Sequence, residues 1–592
     1  MSFKDRLLWL QRVLLATALL STFCLYFYPV LLGCAFPSTT GSSQDGFFDT
    51  LRLHTGRLTH QYDNVAPFRL LVLADPQLEG DSSLPDPEDA LLARIQTHAN
   101  RLQNAPFVNL TTTFAEVTRE LISEDIPRSL WAVRKTIDLF GNDYYLAHIF
   151  RTLHWWAKPT HVTVLGDLIG SQWVSDDEFK WRSWRYWKRV FAGTTKTDDA
   201  IMNLYLEDAD KQNAVPIDDQ TREWSTQIIN VVGNHDIGYA GDITPERVER
   251  FEREFGKVNW DVHFSYPAQR LPQNYSDSHS APPSLHLIVL NSMILDTPAL
   301  HESIQGETYD YLNGLISSRL DPVDERNTTF TLLLTHVPLH KPEGVCVDAP
   351  FFDFWDHDED DGRTAKNGGL REQNHLSDHS SREGVLQGMF GMSGDEHAAA
   401  GGKGRNGLVL TGHDHEGCDT VHYIERPYSP DADVVEEPTS SSSWSWKSVR
   451  TSLFPAMTNN GRADSPPREV VTSLREVTLR SMMGEYSGNA GLLSLWYDFD
   501  TCGWKYEIQM CPLGIQHVWW AVHVIDLVAI VTLVLRLVLS SFESHPAKEP
   551  QVTVPTTKEV VVRPKVGKPS TLAVPVAGQR HDRSPSPRRR KG

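Results

Sequence analysis

An α/β sandwich is the fold class this sequence predicts, on three observations. Five short runs are nearly continuous in aliphatic and β-branched residues, helical stretches separate them, and a polar motif follows each run at once. Runs of that length and make-up read as strands buried on both faces. Strands alternating with helices give a layered α/β body with ligands on loops at the strand ends.

The runs, in order, are residues 68–73, 161–165, 228–232, 330–334 and 408–410. They lead into Asp75-Pro76-Gln77, Gly166-Asp167, Gly233-Asn234-His235-Asp236, Thr335-His336 and Gly412-His413-Asp414-His415. Between the third and fourth, Thr244-Pro245-Glu246 opens a helix with a capping hydroxyl, a first-turn proline and an early acid, and Gly256 closes it. Trp181, Trp184 and Trp187 recur every three residues among basic ones, an amphipathic helix whose tryptophans are expected in the core. The alternative for them is an aromatic wall facing a glycosylated lipid, and Trp173 could stack on sugar.

The motifs extend from Asp75 to His415, so one large catalytic domain with insertions is expected over residues 37–512. The insertions fall near residues 353–407, acidic and then Gly/Asp/His-rich, and near 427–468, Pro/Ser-rich and expected to be disordered. The net charge is -20. An acidic body disfavours nucleic acid as a partner.

Residues 13–36 lack any charge and are long enough to span a bilayer. Tyr26, Tyr28 and Pro29 fit an anchor better than a cleaved signal peptide. A second span is expected over 515–539, with Trp519 and Trp520 at its interface. Lys4, Arg6 and Arg12 place residues 1–12 in the cytosol, and the basic, disordered tail 540–592 returns there. The body between the spans is then lumenal, in keeping with sequons at Asn109, Asn274 and Asn327. His523 and Asp526 share one face of the second span and are expected to pair together or with the first span; a lipid headgroup or partner helix is the rival.

Cys24 and Cys34 fall in the first span, leaving Cys346, Cys418, Cys502 and Cys511 for an oxidising compartment. Four cysteines allow three pairings; the preferred one is Cys346–Cys418 with Cys502–Cys511.

Carboxylate, amide and imidazole side chains at strand ends suit a pair of divalent cations, and such a pair suits phosphoryl transfer. An acid must then protonate the leaving alkoxide. His235 is the candidate, since imidazole titrates near neutrality, with Asp236 to orient it.

The five motifs in this order resemble the calcineurin-like metallophosphoesterase superfamily, whose fold is two packed mixed β-sheets flanked by helices. The resemblance covers about residues 68–425. It implies that Asp75, Asp167 and His415 hold one metal, and that Asp167, Asn234, His336 and His413 hold a second. Gln77 stands where the superfamily usually has a histidine; either its carbonyl ligates, giving the first site a weaker oxygen donor and a preference for an oxygen-loving ion such as Mn²⁺, or Gln77 does not ligate at all.

Residues 73–80, 412–419 and 480–486, with the flanking spans, resemble the membrane-bound branch that remodels glycosylphosphatidylinositol (GPI) anchors in the endoplasmic reticulum. That branch is similar to phosphodiesterases that remove ethanolamine phosphate from an anchor mannose, the second one in its fungal form. The resemblance implies two Mn²⁺ ions, anchor glycolipid or anchored proteins as substrate, and p24-type cargo receptors as partners. It also implies residence in the endoplasmic reticulum membrane with cycling to the Golgi. Two other readings stay open: a phosphohydrolase of another lumenal phosphoester, and a non-catalytic cargo-trafficking factor.

Overall fold

The computed structural model describes residues 3–40, 43–55, 64–203, 214–217, 223–272, 275, 282–319, 321–356, 365–427, 444–454 and 468–543. Asn274, most of the second insertion and the tail beyond residue 543 lie outside the described residues.

In chain order the strands begin with β1 (Phe68–Leu73), β2 (His161–Leu165), β3 (Thr195–Lys196), β4 (Val215–Pro216) and β5 (Gln227–Val231). Next come β6 (Trp260–Ser265), β7 (Ser284–Val289), β8 (Thr329–Leu334), β9 (Phe352–Phe354), β10 (Leu370–Gln373) and β11 (Asn406–Thr411). The last are β12 (Cys418–Pro427), β13 (Ser445–Arg450), β14 (Arg468–Thr478), β15 (Asn489–Asp498) and β16 (Gly503–Pro512). One sheet runs β16-β15-β1-β2-β5-β3 and the other β13-β12-β14-β11-β8-β7-β6-β4, while β9 and β10 form a separate hairpin. Both large sheets are mixed: β1 lies parallel to β2 and antiparallel to β15, and β11 lies parallel to β8 and β14.

The pleat explains why the five runs carry no polar alternation. Phe68, Leu70 and Val72 of β1 join Leu332, Leu334, Leu408 and Leu410 in one core cluster. Leu71 and Leu73 of the same strand join a second cluster with Leu146, Ile149 and Leu153 of the long helix Ile126–Ala157. Successive side chains of a strand leave on opposite faces, so a sheet covered on both sides needs an apolar residue at every position. Helix Pro245–Phe255 begins at a Thr244 cap and ends at Gly256, where φ is 110°.

Among the described residues two helices are long and apolar enough to cross a membrane, Asp5–Tyr26 within Phe3–Tyr26, and Gln516–Ser541 within Gln516–Glu543. The first ends at Tyr26 rather than at residue 36, because the chain turns through the short helix Tyr28–Leu31. Thr22 Oγ1 donates to both Asp526 carboxylate oxygens at 3.0 and 2.8 Å. Tyr26 Oη lies 3.4 Å from His523 Nε2, so the polar residues of the second helix meet the first helix rather than each other.

The disulfides differ from the preferred pairing. Cys346 is joined to Cys418, but Cys511 is joined to Cys34, and Cys502 is free. Cys502 and Cys511 stand at opposite ends of extended β16, about 30 Å apart at ~3.3 Å per residue, far beyond disulfide reach. Two other expectations are also revised. Residues 445–450 of the second insertion form β13, paired with β12, and are not disordered. Trp181 and Trp184 are exposed and stacked on each other at 4.9 Å, and of the three tryptophans Trp187 packs inward, its indole N–H donating to Glu254 O.

Candidate metal centre

Each motif sits in the loop that leaves the end of its strand, where the two sheets' loops meet. Four of the residues there, Asp75, Gln77, Asp167 and His413, have positive φ of 52°, 40°, 52° and 73°. Non-glycine residues hold this region at a cost of about 1–3 kcal/mol each, and such strain clusters at functional sites. Two glycines make room. A Cβ on Gly166, where φ is 88°, would overlap the His336 ring, and one on Gly233 would overlap Asp167.

The histidine tautomers are set from behind. His336 Nδ1 lies 2.8 Å from the Leu165 carbonyl and must donate to it, leaving Nε2 with a bare lone pair. That Nε2 faces Asn234 Oδ1 at 3.0 Å and Asp167 Oδ1 at 3.3 Å. His413 Nε2 donates to Gln373 O at 2.7 Å, so its Nδ1 turns a lone pair toward the same Asn234 oxygen at 3.0 Å. Four acceptors therefore converge, and a divalent cation is what such a set fits. Burial pulls His336, His413 and His415 below the usual imidazole range, His413 to about 3, so all three stay neutral at pH 7.

Beside this cluster lies a second one. Asp75 Oδ1 accepts from the His413 backbone N–H at 3.0 Å, while Oδ2 is buried with no hydrogen-bond partner. Burial and the Asp167 charge raise the Asp75 carboxyl well above its ordinary range. Burial would raise Asp167 as well, but the neighbouring His336, His235 and His413 together bring it below that range. An orphaned, destabilised carboxylate beside another fits a cation between them. Gln77 enters here with its amide: Nε2 donates to Asp167 Oδ2 at 3.0 Å and lies 3.1 Å from His415 Nε2. The side chain thus couples two of the expected ligands by hydrogen bonding and adds no imidazole lone pair.

The structure brings together Asp75, Gln77, Asp167, Asn234, His336, His413 and His415. His235 stands at the rim, its side chain 37% exposed and its Nε2 3.9 Å from Asp167 Oδ2. Asp236 is not its partner. Its carboxylate is fully buried and accepts from Ile169 N at 2.9 Å and Gly233 N at 2.8 Å, so it braces the second and third motifs against each other. Adjacent residues in a helical turn point apart, which separates Asp236 from the imidazole beside it.

Sequence reasoning did not find Leu165 O, Gln373 or Tyr486. The first two act through backbone carbonyls, which leave no mark in side-chain identity. Gln373 ends β10, so the first insertion contributes to the site. Tyr486 packs its ring against His415, with centroids 5.0 Å apart. Its own turn, Gly484–Tyr486, rests on the start of the second apolar helix: a Cβ on Gly484 would overlap Gln516. A separate group, Asp261, His263 and His286, has its main contact satisfied, since His286 Nε2 donates to Asp261 at 2.8 Å.

No family model matches the chain. Protein TED1 of Saccharomyces cerevisiae is 32% identical over 430 residues, which are 67% of this chain and 77% of that protein. An uncharacterized protein of Schizosaccharomyces pombe is 28% identical over 306 residues, 48% of this chain and 58% of its own length. Metallophosphoesterase 1 of Danio rerio is 26% identical over 121 residues, 20% of this chain and 24% of that protein. With a buried cage of carboxylate, amide and imidazole donors on two mixed sheets, and with relatives of this kind and extent, the chain belongs to the metallophosphoesterase superfamily, in the family of Protein TED1.

Proposed function

We propose that the protein is a lumenal, two-metal phosphodiesterase that removes ethanolamine phosphate from a mannose of GPI anchors and so supports export of anchored proteins from the endoplasmic reticulum. The observation that carries this reading is the position of the centre. His415 packs on Tyr486, whose turn rests on Gln516 at the head of a membrane-length helix. A substrate anchored in lipid would reach such a site without leaving the bilayer.

Asp167, Asn234, His336 and His413 would hold one cation, and Asp75, Asp167 and His415 the other. When bound, two divalent cations supply Lewis-acid charge at the phosphoryl oxygens and acidify water. The protein's own share is orientation and proton handling. Leu165 and Gln373 fix the imidazole tautomers, and the strained loops hold the carboxylates in place before substrate arrives. His235, at the rim and half open to solvent, donates a proton to the leaving alkoxide of the mannose. The carboxylate oxygens of Asp75 and Asp167 suit Mn²⁺. Trp173, 48% exposed under the Arg247 guanidinium, offers a face for sugar stacking. The two disulfides support an oxidising compartment, and exposed Asn109 and Asn327 are open to glycosylation there. Export through p24-type receptors is part of the same reading.

The test is incubation of the full-length protein in detergent with GPI glycans and Mn²⁺, followed by mass spectrometry. Loss of ethanolamine phosphate from one mannose with wild type, and none with Asp167→Asn, is expected. Intact glycans alongside turnover of another phosphoester would replace the substrate, and no turnover of any ester would leave a binding factor.

A further inference from the structure

Helix Leu110–Glu120, the π-helical turn Leu121–Asp125 and helix Ile126–Ala157 run on from one another. Ile122, Ile126, Leu130, Val133, Ile137 and Phe140 recur along them at steps of three or four, and all are exposed, Ile122 by 62% and Leu130 by 66%. Such spacing puts them on one face. A neighbouring face carries buried anchors to the rest of the fold. Asp143 is fully buried between Arg185, at 2.6 Å, and Arg189, at 3.0 Å, and Asp125 accepts from His98 and Arg94. The stripe's far end is the turn at Phe107 and Val108, 92% and 87% exposed. Its near end, Phe140 and Tyr144, shares a cavity of about 560 Å³ with Tyr26 and Phe27 at the end of the first apolar helix and Trp519 and Trp520 of the second.

We propose that this face lies in the interface of the same bilayer that the two apolar helices cross, as a lateral outrigger about 50 Å long at 1.5 Å per residue from Leu110 to Tyr144. The occupant follows from continuity, because the stripe runs without a break into the aromatic residues at the heads of both helices. Its flank also has interfacial chemistry. Trp181 and Trp184 stack beside it, and the Arg189 guanidinium lies about 5.5 Å from both rings and from Phe140. Indole rings with a cation among them favour the headgroup level. An apolar strip this long facing water would be an aggregation hazard in a protein that used it for nothing.

The test uses the full chain with Cys24→Ser and Cys502→Ser, the two free thiols among the described residues. Single cysteines replacing Leu130, Ile137 or Glu124 are nitroxide-labelled, and the protein is reconstituted in phosphatidylcholine vesicles. At Leu130 and Ile137, relaxation by oxygen should exceed that by a water-soluble nickel chelate severalfold, while Glu124, exposed on another face, shows the reverse. Equal access of the chelate to Leu130, Ile137 and Glu124 overturns the proposal. So does shielding that vanishes when protein is diluted at constant lipid, which would mark a protein partner or a second copy instead. Both outcomes are read without any turnover, so they are independent of the substrate.

Discussion

His235 and Asn234 are neighbours in sequence with separable duties. Asn234 Oδ1 faces two imidazole lone pairs, as co-ligands of one cation would, whereas His235 contacts the cage only through its backbone N–H, 2.9 Å from Asp167 Oδ1, and a long approach to the same carboxylate. His235→Ala should therefore lower turnover by about 100- to 10,000-fold, the usual loss of a general acid, with bound metal unchanged by elemental analysis. Asn234→Ala should lose metal. Loss of metal from both variants would assign His235 to the cage and remove it from proton transfer. At this scale the sequence was most legible, because each ligand type is dictated by the ion and sits at a strand end. Asp236 shows the limit: its identity suggested an orienting carboxylate, but which N–H groups it meets depends on the Gly233 turn and the loop at Ile169.

Between elements, Glu476 of β14 holds the fourth motif in place. It is fully buried, accepts from Leu339 N at 2.8 Å, Lys341 Nζ at 2.8 Å and His422 Nε2 at 2.7 Å, and so fixes the segment after His336. Burial alone would raise its carboxyl, but Lys341 and His422 bring it down to about 2. An unfolded glutamate titrates near ~4.3. The stabilisation is thus complete above that value and is lost as pH falls from there toward 2. Glu476→Gln, which leaves Lys341 buried without its counter-charge, should cost about 3–5 kcal/mol at pH 7 by denaturant unfolding. The gap from wild type should narrow as pH falls from ~4 toward ~2; a gap independent of pH would mean that packing, not charge, is lost. The five central strands were readable from their apolar runs. The outward turn of Trp181 and Trp184 was not, because an amphipathic spacing marks one apolar side of a helix without saying whether that side meets the core.

Across the whole molecule, the bond that sequence proximity hid is the one with the longest reach. Cys34 follows the first apolar helix and Cys511 precedes the second, 477 residues apart in sequence. Proximity along a chain guides pairing only where the backbone can turn back, and extended β16 does not. Cys34→Ser should lower stability by about 2–4 kcal/mol and loosen the helix pair, whereas Cys502→Ser should leave the thermal midpoint unchanged. Equal midpoints for both variants would show that packing around Thr22 and Asp526 suffices without the covalent link.

The turn that joins His415 to the head of the second apolar helix has a kinetic meaning. Under the proposed function, encounter with a lipid-anchored substrate is a search in two dimensions, and the relevant concentration is its mole fraction among neighbouring lipids. Adding inert phospholipid at constant bulk substrate should slow turnover in proportion, while a water-soluble ester of the same headgroup should be indifferent to it.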